Sequence, residues 1–335
     1  MSGAGPSIVA VLLNYRTADM TLSAAEATRK ALAGLDATLL IVDNASGDGS
    51  FEKISAVVQK RKWKATYVIQ SGRNGGFGAG NNVGIREALA RHDPDYFYIQ
   101  NSDAFPEKDA IAKLVVALEA DPRAGFACSK LHREDGENSI TAFNFPSILG
   151  ELEGGARFGP LSRLLHRSRI PIDLPTSTTP VGWSAGASMM IRRATLDEVG
   201  LFDETFFLYF EETELCLRAK RAGWHCLFVP SSEVCHLGSV STGMQRWTRV
   251  PGYWFASQAY YYVKMHGRFY AVLALSARWL GCSFSALRAR LTGRPAPDPE
   301  HFRSDLARSL GRLLVHAAPV RTSPSQPQPK PQRQT

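Results

Sequence analysis

The chain has 335 residues, with 39 Lys and Arg against 31 Asp and Glu, and its formal net charge is +8. A composition of 44% hydrophobic and 21% charged residues is that of a globular protein and excludes wholesale disorder and fibrous repeats. Five cysteines without a Cys-x-x-Cys pair argue against a disulfide framework or a thiolate zinc site. The length predicts about two domains, or one large one.

The positive charge is concentrated at the C-terminus. Residues 264–335 carry 12 Lys and Arg against 3 Asp and Glu, so the rest of the chain is almost neutral. This asymmetry is typical of contact with an acidic surface, either anionic lipid or nucleic acid, and a solubilising tail without a partner is an equal alternative. Because the tail has no interleaved aromatic residues and no recognised motif, we expect no nucleic-acid partner.

Neither a signal peptide nor a simple transmembrane helix is expected. The N-terminus lacks a cationic segment followed by an apolar core, and no uncharged apolar run reaches about 18 residues. The last 15 residues contain 4 Pro, 4 Gln and no acid, which predicts disorder.

The first 130 residues alternate apolar strands with amphipathic helices. Strands are predicted at 8–15, 37–44, 65–70 and 95–101, and helices at 17–32, 50–60, 79–91 and 108–119. This alternation is typical of a parallel sheet covered on both faces. Because the ligand site of such a sheet lies outside the carboxyl ends of its strands, the polar residues after each strand are candidates for a site.

The second half is less regular. Residues 132–180 lack a clear period, and we expect a long, partly irregular insertion. Later elements are predicted as a strand at 181–193, a helix at 194–199, a helix at 212–222, a strand at 225–230, and helices at 253–266 and 268–290.

Two carboxylates close predicted strands. Asp103 ends the tripeptide 101–103, where it is placed either to hold a divalent cation that bridges a diphosphate or to cap a helix. Asp43 can accept hydrogen bonds from a nucleobase or a ribose, or it can form an Asx turn. Because other polar residues already supply the turn at 44–49, a binding role is favoured for Asp43.

A glycine-rich loop over 72–80 precedes the third helix. Its glycines permit close approach of backbone to a ligand, and a helix N-terminus favours anions. The loop contains Gly-x-Gly, but a dinucleotide fingerprint belongs after the first strand, so that interpretation is weak.

Glu211 and Glu212 follow the aromatic run 206–210. Burial beside aromatic rings raises a carboxyl pKa towards the range of a general base, although acids are also common in the first turn of a helix. His236 follows a strand and is a candidate metal ligand or phosphate contact, or a structural donor.

Six segments occur in an order that is informative together. They are VDNASGDGS (42–50), GRNGGFGAGNNVGI (72–85), QNSDAFP (100–106), GWSAGASMMIRR (182–193), FDETFFLYFEETELCLRAKRAGW (202–224) and HLGSVS (236–241). Over about residues 8–266 the chain resembles the family 2 glycosyltransferases of the GT-A fold. More narrowly, it resembles the bacterial rhamnosyltransferase-like enzymes of polysaccharide biosynthesis.

The resemblance implies an α/β, GT-A type, Rossmann-like and mostly parallel sheet flanked by helices. It implies a catalytic domain over 1–266, with a nucleotide-sugar half at 1–130 and an acceptor and catalytic half at 131–266. Basic amphipathic helices are expected at 267–318 and a disordered tail at 319–335. The implied activity is a metal-dependent hexosyltransferase that moves a sugar with inversion from a nucleotide diphosphate donor, first L-rhamnose from dTDP-rhamnose, to a hydroxyl of a glycan or lipid-linked acceptor. Alternatives are a UDP- or GDP-sugar donor, or a degenerate non-catalytic module that binds a glycan or a partner.

Roles carry over from the resemblance residue by residue. Asp43 would contact the base, and four residues, Asn74, Gly75, Asn81 and Asn82, would lie beside the donor. Asp103 and His236 would hold Mg²⁺ or Mn²⁺ with the diphosphate, and Glu212 would be the base. The chain departs from the usual metal motif with Asn-Ser-Asp, and from the usual Glu-Asp pair with Glu-Glu. Either Glu211 or Glu212 therefore remains open as the base, and we prefer Glu212.

Two rival classes make different demands. A nucleotidyltransferase needs a phosphate loop after the first strand, and residues 12–20 lack one. A non-catalytic module has no need for the carboxylates at 43, 103 and 211–212, so their presence favours an enzyme.

The segment 268–290 is amphipathic. Its shared helical face comprises Phe269, Val272, Leu273, Leu280, Phe284 and Leu287. Arg278 lies opposite, and flanking arginines fit a helix on an anionic membrane surface, with a helix packed on the catalytic domain as the alternative. We therefore expect a cytoplasmic protein that is peripheral on the inner face of the cytoplasmic membrane.

Overall fold

The computed structural model describes residues 5–238, 247–295 and 298–315. The strands are β1 Ile8–Asn14, β2 Ala37–Asp43, β3 Thr66–Gln70, β4 Tyr96–Asn101, β5 Ala104–Pro106, β6 Ala124–His132, β7 Ala142–Phe143, β8 Thr179–Val181, β9 Trp183–Ser184, β10 Ser188–Arg192 and β11 His225–His236. The helices are α1 Ala18–Ala31, α2 Ser50–Lys60, α3 Phe77–Arg91, α4 Ala110–Ala120, α5 Ile148–Ala156, α6 Gly159–Leu164, α7 Arg193–Val199, α8 Glu211–Arg221, α9 Gly252–His266, α10 Arg268–Leu291 and α11 Phe302–Val315.

The main sheet has the order β3-β2-β1-β4-β10-β6-β11-β5, with β8 paired to β11. The first four strands in this order are parallel, and β10 is antiparallel to both of its neighbours. Apolar clusters on the two faces of the sheet are covered by helices, as the continuous apolar strands predict. The expected α/β, mostly parallel sheet flanked by helices is confirmed.

The strand expected at 181–193 is divided in the structure. Val181 ends β8, Trp183 and Ser184 form β9, and β10 begins only at Ser188. The turn 185–187 between β9 and β10 lines a cavity that is described below. The apolar run therefore combines two short edge strands with one buried strand.

The insertion expected at 132–180 contains regular structure that the sequence pattern did not reveal. Its longest helix is α5, which is capped where Ser147 Oγ accepts a hydrogen bond from the Gly150 backbone N at 3.1 Å. Three glycines in nine residues lower the helix propensity of this segment. The glycines are needed because an added Cβ at Gly155 would lie 2.7 Å from the Arg278 carbonyl oxygen of α10.

The C-terminal helices α9, α10 and α11 pack around a third apolar cluster, which also includes Phe206. Helix α10 lies directly on α5, since an added Cβ at Gly281 would come within 2.5 Å of the Leu152 carbonyl oxygen. The tail expected to be disordered, 319–335, and residues 239–241 of the last motif lie outside the described residues.

Helix α10 is, among the residues that the structure describes, long and apolar enough to cross a membrane by length and composition. Its apolar run is interrupted near the middle by Arg278. The sequence predicts Arg278 on the side of α10 opposite the apolar face, and the structure has it there. The Arg278 side chain points inward, where its Nη1 lies 3.7 Å from Oε2 of the buried Glu151.

Candidate functional site

The carboxyl ends of β1 to β4 meet at one edge of the sheet, because these strands are parallel. A cavity of about 390 Å³ opens there. Polar residues that follow the strands line it, as do residues of the insertion and the start of α8. The lining includes Asn44, Asn74, Asn101, Ser102, Asp103, Arg133, Thr141, Glu211, Glu212 and His236.

Asp103 and His236 meet on one wall of this cavity. The turn after β4 carries Asp103, and pairing of β5 with β11 places Ala104 opposite His236. The Asp103 carbonyl accepts a hydrogen bond from the Leu237 backbone N at 3.0 Å, and Asp103 Oδ1 lies 3.2 Å from His236 Nε2. The pair is separated by more than 130 positions in the sequence, so only the strand pairing brings it together.

This pair fits a divalent cation that is shared with a ligand. Mg²⁺ commonly uses one or two carboxylates and completes its shell with water and phosphate oxygens, and imidazole suits transition metals. Over the described ranges, no group of three or more His, Cys, Asp and Glu side chains is arranged to hold a metal by itself. A metal at Asp103 and His236 would therefore depend on oxygens supplied by a bound diphosphate.

Glu211 and Glu212 begin α8 immediately after a strained turn. Tyr209 has a φ of 70° and Phe210 a φ of 73°, both in the left-handed region that bulky residues rarely adopt. The turn places both carboxylates in the first turn of α8, where the helix dipole favours negative charge. The strain fits a functional site, since such conformations persist only where surrounding packing enforces them.

The two carboxylates differ in their surroundings. Glu211 is 1% exposed, and burial, followed by the charge of Glu212, raises the pKa of Glu211 well above its usual value. Glu212 is partly exposed at the cavity. Burial also raises the pKa of Glu212, while backbone N–H groups of Glu212 and Gly186 act in the opposite direction. Because burial and the charge of Glu212 both raise the pKa of Glu211, Glu212 is the first of the two to ionise.

The glycine-rich loop joins this turn directly. An added Cβ at Gly76, whose φ is 92°, would lie 1.7 Å from the Phe207 carbonyl oxygen. That carbonyl accepts a hydrogen bond from the Phe77 backbone N at 3.0 Å. Asn74 Oδ1 accepts hydrogen bonds from the Gly76 backbone N and from Asn44 Nδ2, each at 3.1 Å. The loop thus holds the segment that carries the carboxylates.

Three candidates from the loop region do not line the cavity. Asn81 and Asn82 are both fully buried in α3. Asn82 Nδ2 donates to the Phe202 carbonyl at 2.8 Å, and the Phe202 backbone N donates to Asn82 Oδ1 at 3.1 Å. Gly75 is packed against Ala79. Of the four residues expected beside the donor, Asn74 is the one on the cavity wall.

Asp43 is 1% exposed and is engaged within the protein. Its Oδ1 accepts hydrogen bonds from Asn14 Nδ2 at 2.7 Å and Ser46 Oγ at 2.6 Å, and its Oδ2 accepts one from the Ser46 backbone N at 3.1 Å. Asp43 therefore takes part in the turn that follows β2, and the contact with the base expected from the resemblance stays a prediction. Its neighbour Asn44, another of the polar residues that follow a strand, lines the cavity.

The opposite wall comes from the irregular insertion. Arg133, Ser139, Ile140, Thr141 and Phe143 line the cavity there. Nothing in their sequence marks them, because no motif or period runs through this stretch. They could be found only from the strand pairing of Ala142 and Phe143 with β9.

The fold is that of GT-A glycosyltransferases. The structure superimposes on the mannosyltransferase PcManGT from Pyrobaculum calidifontis, in complex with GDP-Man and Mn²⁺, with a TM-score of 0.54 and 14% identity, covering 92% of this chain and 87% of that one. GalNAc-T7 with UDP, GalNAc and Mn²⁺ gives a TM-score of 0.50 and 15% identity, covering 92% of this chain and 56% of that chain.

The chain belongs to glycosyl transferase family 2, whose family model matches residues 7–203. A second model, glycosyl transferase family group 2, matches residues 170–323. An N-acetylglucosaminyl-diphospho-decaprenol L-rhamnosyltransferase of Mycobacterium tuberculosis is 31% identical over 221 residues, or 62% of this chain and 68% of that protein. The rhamnosyltransferase WbbL of Escherichia coli is 28% identical over 166 residues, or 48% of this chain and 60% of WbbL. The expected family resemblance is confirmed, and the chain is a glycosyltransferase.

Proposed function

We propose that this glycosyltransferase moves L-rhamnose from dTDP-L-rhamnose, with inversion, to a hydroxyl of a lipid-linked saccharide in cell-surface polysaccharide biosynthesis. The observation that carries the proposal is the shared cavity, in which the partly exposed Glu212 lies with the Asp103–His236 pair. Glu212 can accept a proton there, and Asp103 with His236 can hold a cation that binds the leaving diphosphate.

In the proposed reaction, the acceptor oxygen attacks the anomeric carbon from the face opposite the diphosphate. The new carbon–oxygen bond forms as the bond to the phosphate oxygen breaks, and the acceptor proton passes to the Glu212 carboxylate. Asp103 and His236 would hold the divalent cation, which when bound offsets the charge that develops on the leaving diphosphate. A single base is sufficient, and the mechanism has no covalent intermediate.

Rhamnose as the sugar is supported by the names of both relatives. The name of the Mycobacterium tuberculosis relative also specifies L-rhamnose and a diphospho-decaprenol, which supports a lipid diphosphate as the acceptor carrier. A UDP- or GDP-sugar donor is the alternative, since the structural relatives bind UDP or GDP-Man. The carboxylates at 43, 103 and 211–212 argue against a degenerate binding module.

The division of the catalytic domain is part of this proposal. Residues 1–130 would supply Asn74 and Asp103 to the donor, and residues 131–266 would supply Glu212 and the wall of the insertion to the acceptor. His236, from the second half, would join Asp103 at the donor diphosphate. Asp43 would act on the nucleotide through the turn that it stabilises.

The test is donor hydrolysis by the purified chain with dTDP-, UDP- and GDP-sugars in the presence of Mg²⁺ or Mn²⁺, with the released nucleotide measured. We expect dTDP-L-rhamnose to be hydrolysed fastest. Faster hydrolysis of a UDP- or GDP-sugar would show that this sugar, and not dTDP-L-rhamnose, is the donor. No hydrolysis or transfer with any donor would support a non-catalytic module.

A further inference from the structure

Helix α10 exposes a continuous apolar stripe. Its members are Phe269, Leu273, Leu280, Phe284, Leu287 and Leu291, each at least 40% exposed. At about 100° per residue they fall within a sector of about 60°. Single exposed apolar residues are normal on a protein surface, but a stripe along an entire helix of 24 residues indicates a binding surface.

The opposite face of α10 is fixed to the protein. The backbones of α5 and α10 are in contact at Gly155 and Gly281. Near this contact, the buried Glu151 of α5 accepts hydrogen bonds from Tyr262 Oη at 2.7 Å and Gln258 Nε2 at 3.0 Å, and its Oε2 lies 3.7 Å from Arg278 Nη1. Withdrawing α10 to cross a bilayer would strand Arg278 in hydrocarbon and leave the charge of Glu151 buried and unpaired, which is costly. The helix can therefore meet a membrane only in the plane of its surface.

The stripe has a basic border. Arg290 lies on one side of it and Arg288 on the other, and Arg268 and Arg294 lie at its two ends. No Asp or Glu occurs between residues 264 and 297. Long arginine side chains at the edge of an apolar face can place their stems on that face and their charges at lipid phosphates.

A second element continues this surface. Phe158 packs edge-on against Phe284, with ring centroids 5.5 Å apart, and the Arg288 guanidinium lies 5.3 Å from the Phe158 centroid. The following segment, 157–169, includes α6 and carries four arginines and no acid. Within it, Leu164 is 77% exposed. Arg157 pairs with Asp298 at 2.9 Å and Arg169 lies 3.9 Å from Glu153, so the charge offered to a headgroup rests on Arg163 and Arg167. The insertion and the C-terminal helices thus form one face, made of α10 and the segment 157–169.

We propose that this face of α10 and segment 157–169 binds an anionic lipid surface, with α10 lying in the membrane plane. The apolar stripe would enter the boundary of the acyl chains, and the arginines would pair with acidic headgroups. The charge distinguishes this occupant from a second copy of the chain, because a symmetric contact would place arginine-rich borders against one another.

The apolar part is tested by co-flotation of the full chain with vesicles of phosphatidylglycerol and phosphatidylcholine. Changing Leu273, Leu280 and Leu287 together to Gln is expected to lower the partition constant by about 100-fold or more, because each leucine loses its transfer into the acyl region. The matched control, Tyr67→Gln with Val116→Gln, removes exposed apolar side chains elsewhere and should bind like the wild type. Equal binding by the triple variant would refute the proposal.

The charged part is tested with Arg290→Gln and Arg294→Gln in one chain. We expect roughly a tenfold to thirtyfold loss on anionic vesicles, little wild-type binding to phosphatidylcholine alone, and release by high salt. Salt-insensitive binding to both vesicle types would refute the anionic partner. Sedimentation without lipid tests whether a second copy of the chain binds this face instead. A wild-type dimer that the leucine changes dissociate would show that it does, and would refute the lipid surface as the partner. Donor hydrolysis should be unchanged in every variant, so this test is independent of the proposed transfer.

Discussion

Replacing Glu212 with Gln keeps the size of the side chain and removes its ability to accept a proton. General-base catalysis contributes about 10²–10⁴-fold, so kcat should fall by that factor. Donor affinity should remain near that of the wild type, because the diphosphate would be held by the cation at Asp103 and His236 and not by Glu212. The measurements are single-turnover nucleotide release and donor titration by calorimetry.

The structure supplies a matched control in Glu211→Gln. Since burial and the charge of Glu212 raise the pKa of Glu211, we expect Glu212 to carry the charge of the pair. Glu211→Gln should therefore leave the base in place, and kcat should stay within about tenfold of the wild type. The base must be ionised to act, so wild-type and Glu211→Gln rates should fall at acid pH with an apparent pKa above the usual 4.5, and Glu212→Gln should lose this dependence.

Stability provides a check that both variants are folded. A carboxyl with a raised pKa stabilises the fold below its unfolded-state pKa, and this contribution is lost as pH rises through the folded value. Both Gln variants should therefore unfold at or above the wild-type temperature at pH 7.

A larger kcat loss for Glu211→Gln than for Glu212→Gln would show that Glu211, and not Glu212, is the base. Less than a tenfold loss in both would refute the mechanism.

Three further changes test other parts of the site and fold. Asp103→Asn, or excess EDTA with the wild type, should lower turnover by about 100-fold or more, and full activity in EDTA would exclude the metal. Gly76→Ala would drive a methyl group into the Phe207 carbonyl at 1.7 Å, so the unfolding temperature and activity should both fall in thermal denaturation and donor assays. Burial alone would raise the pKa of Asp203, but hydrogen bonds, first from Lys264, lower it to about 2. The stability that this pairing contributes is present above the unfolded pKa of about 4 and is lost as the pH falls towards 2. Lys264→Met should therefore raise the pH midpoint of acid unfolding by up to about 1 unit. An unchanged midpoint would contradict the pairing of Lys264 with Asp203.

The sheet was predictable because burial alone determines its strands. Each of β1, β2 and β4 is largely an apolar run, and each ends in a polar residue at the carboxyl edge of the sheet. Helix α5 was not predictable, because its glycines satisfy a packing demand from α10 that lies more than 100 residues away. Local propensity does not carry information about such a contact.

The candidate site was only partly predictable. Strand ends and aromatic neighbours mark Asp103, His236 and the pair 211–212, while the family resemblance selects Glu212 from that pair. All of them line one cavity. Asn81 and Asn82 looked similar in sequence to Asn74, but the rotation of α3 turns them into the protein, where Asn82 binds the backbone at Phe202. A motif fixes the order of residues but not which of them faces the ligand.

The turn before Glu211 shows why the C-terminal helices belong to the site. A sequence rule expects glycine where φ is positive, yet Tyr209 and Phe210 occupy these positions. Phe210 packs against Trp254 and Tyr261 of α9, with ring centroids 5.8 and 5.6 Å away. These aromatic contacts hold a conformation that the backbone alone disfavours. Because the turn aims Glu212 into the cavity, α9 helps to set the position of the proposed base, and the same bundle presents the surface of α10.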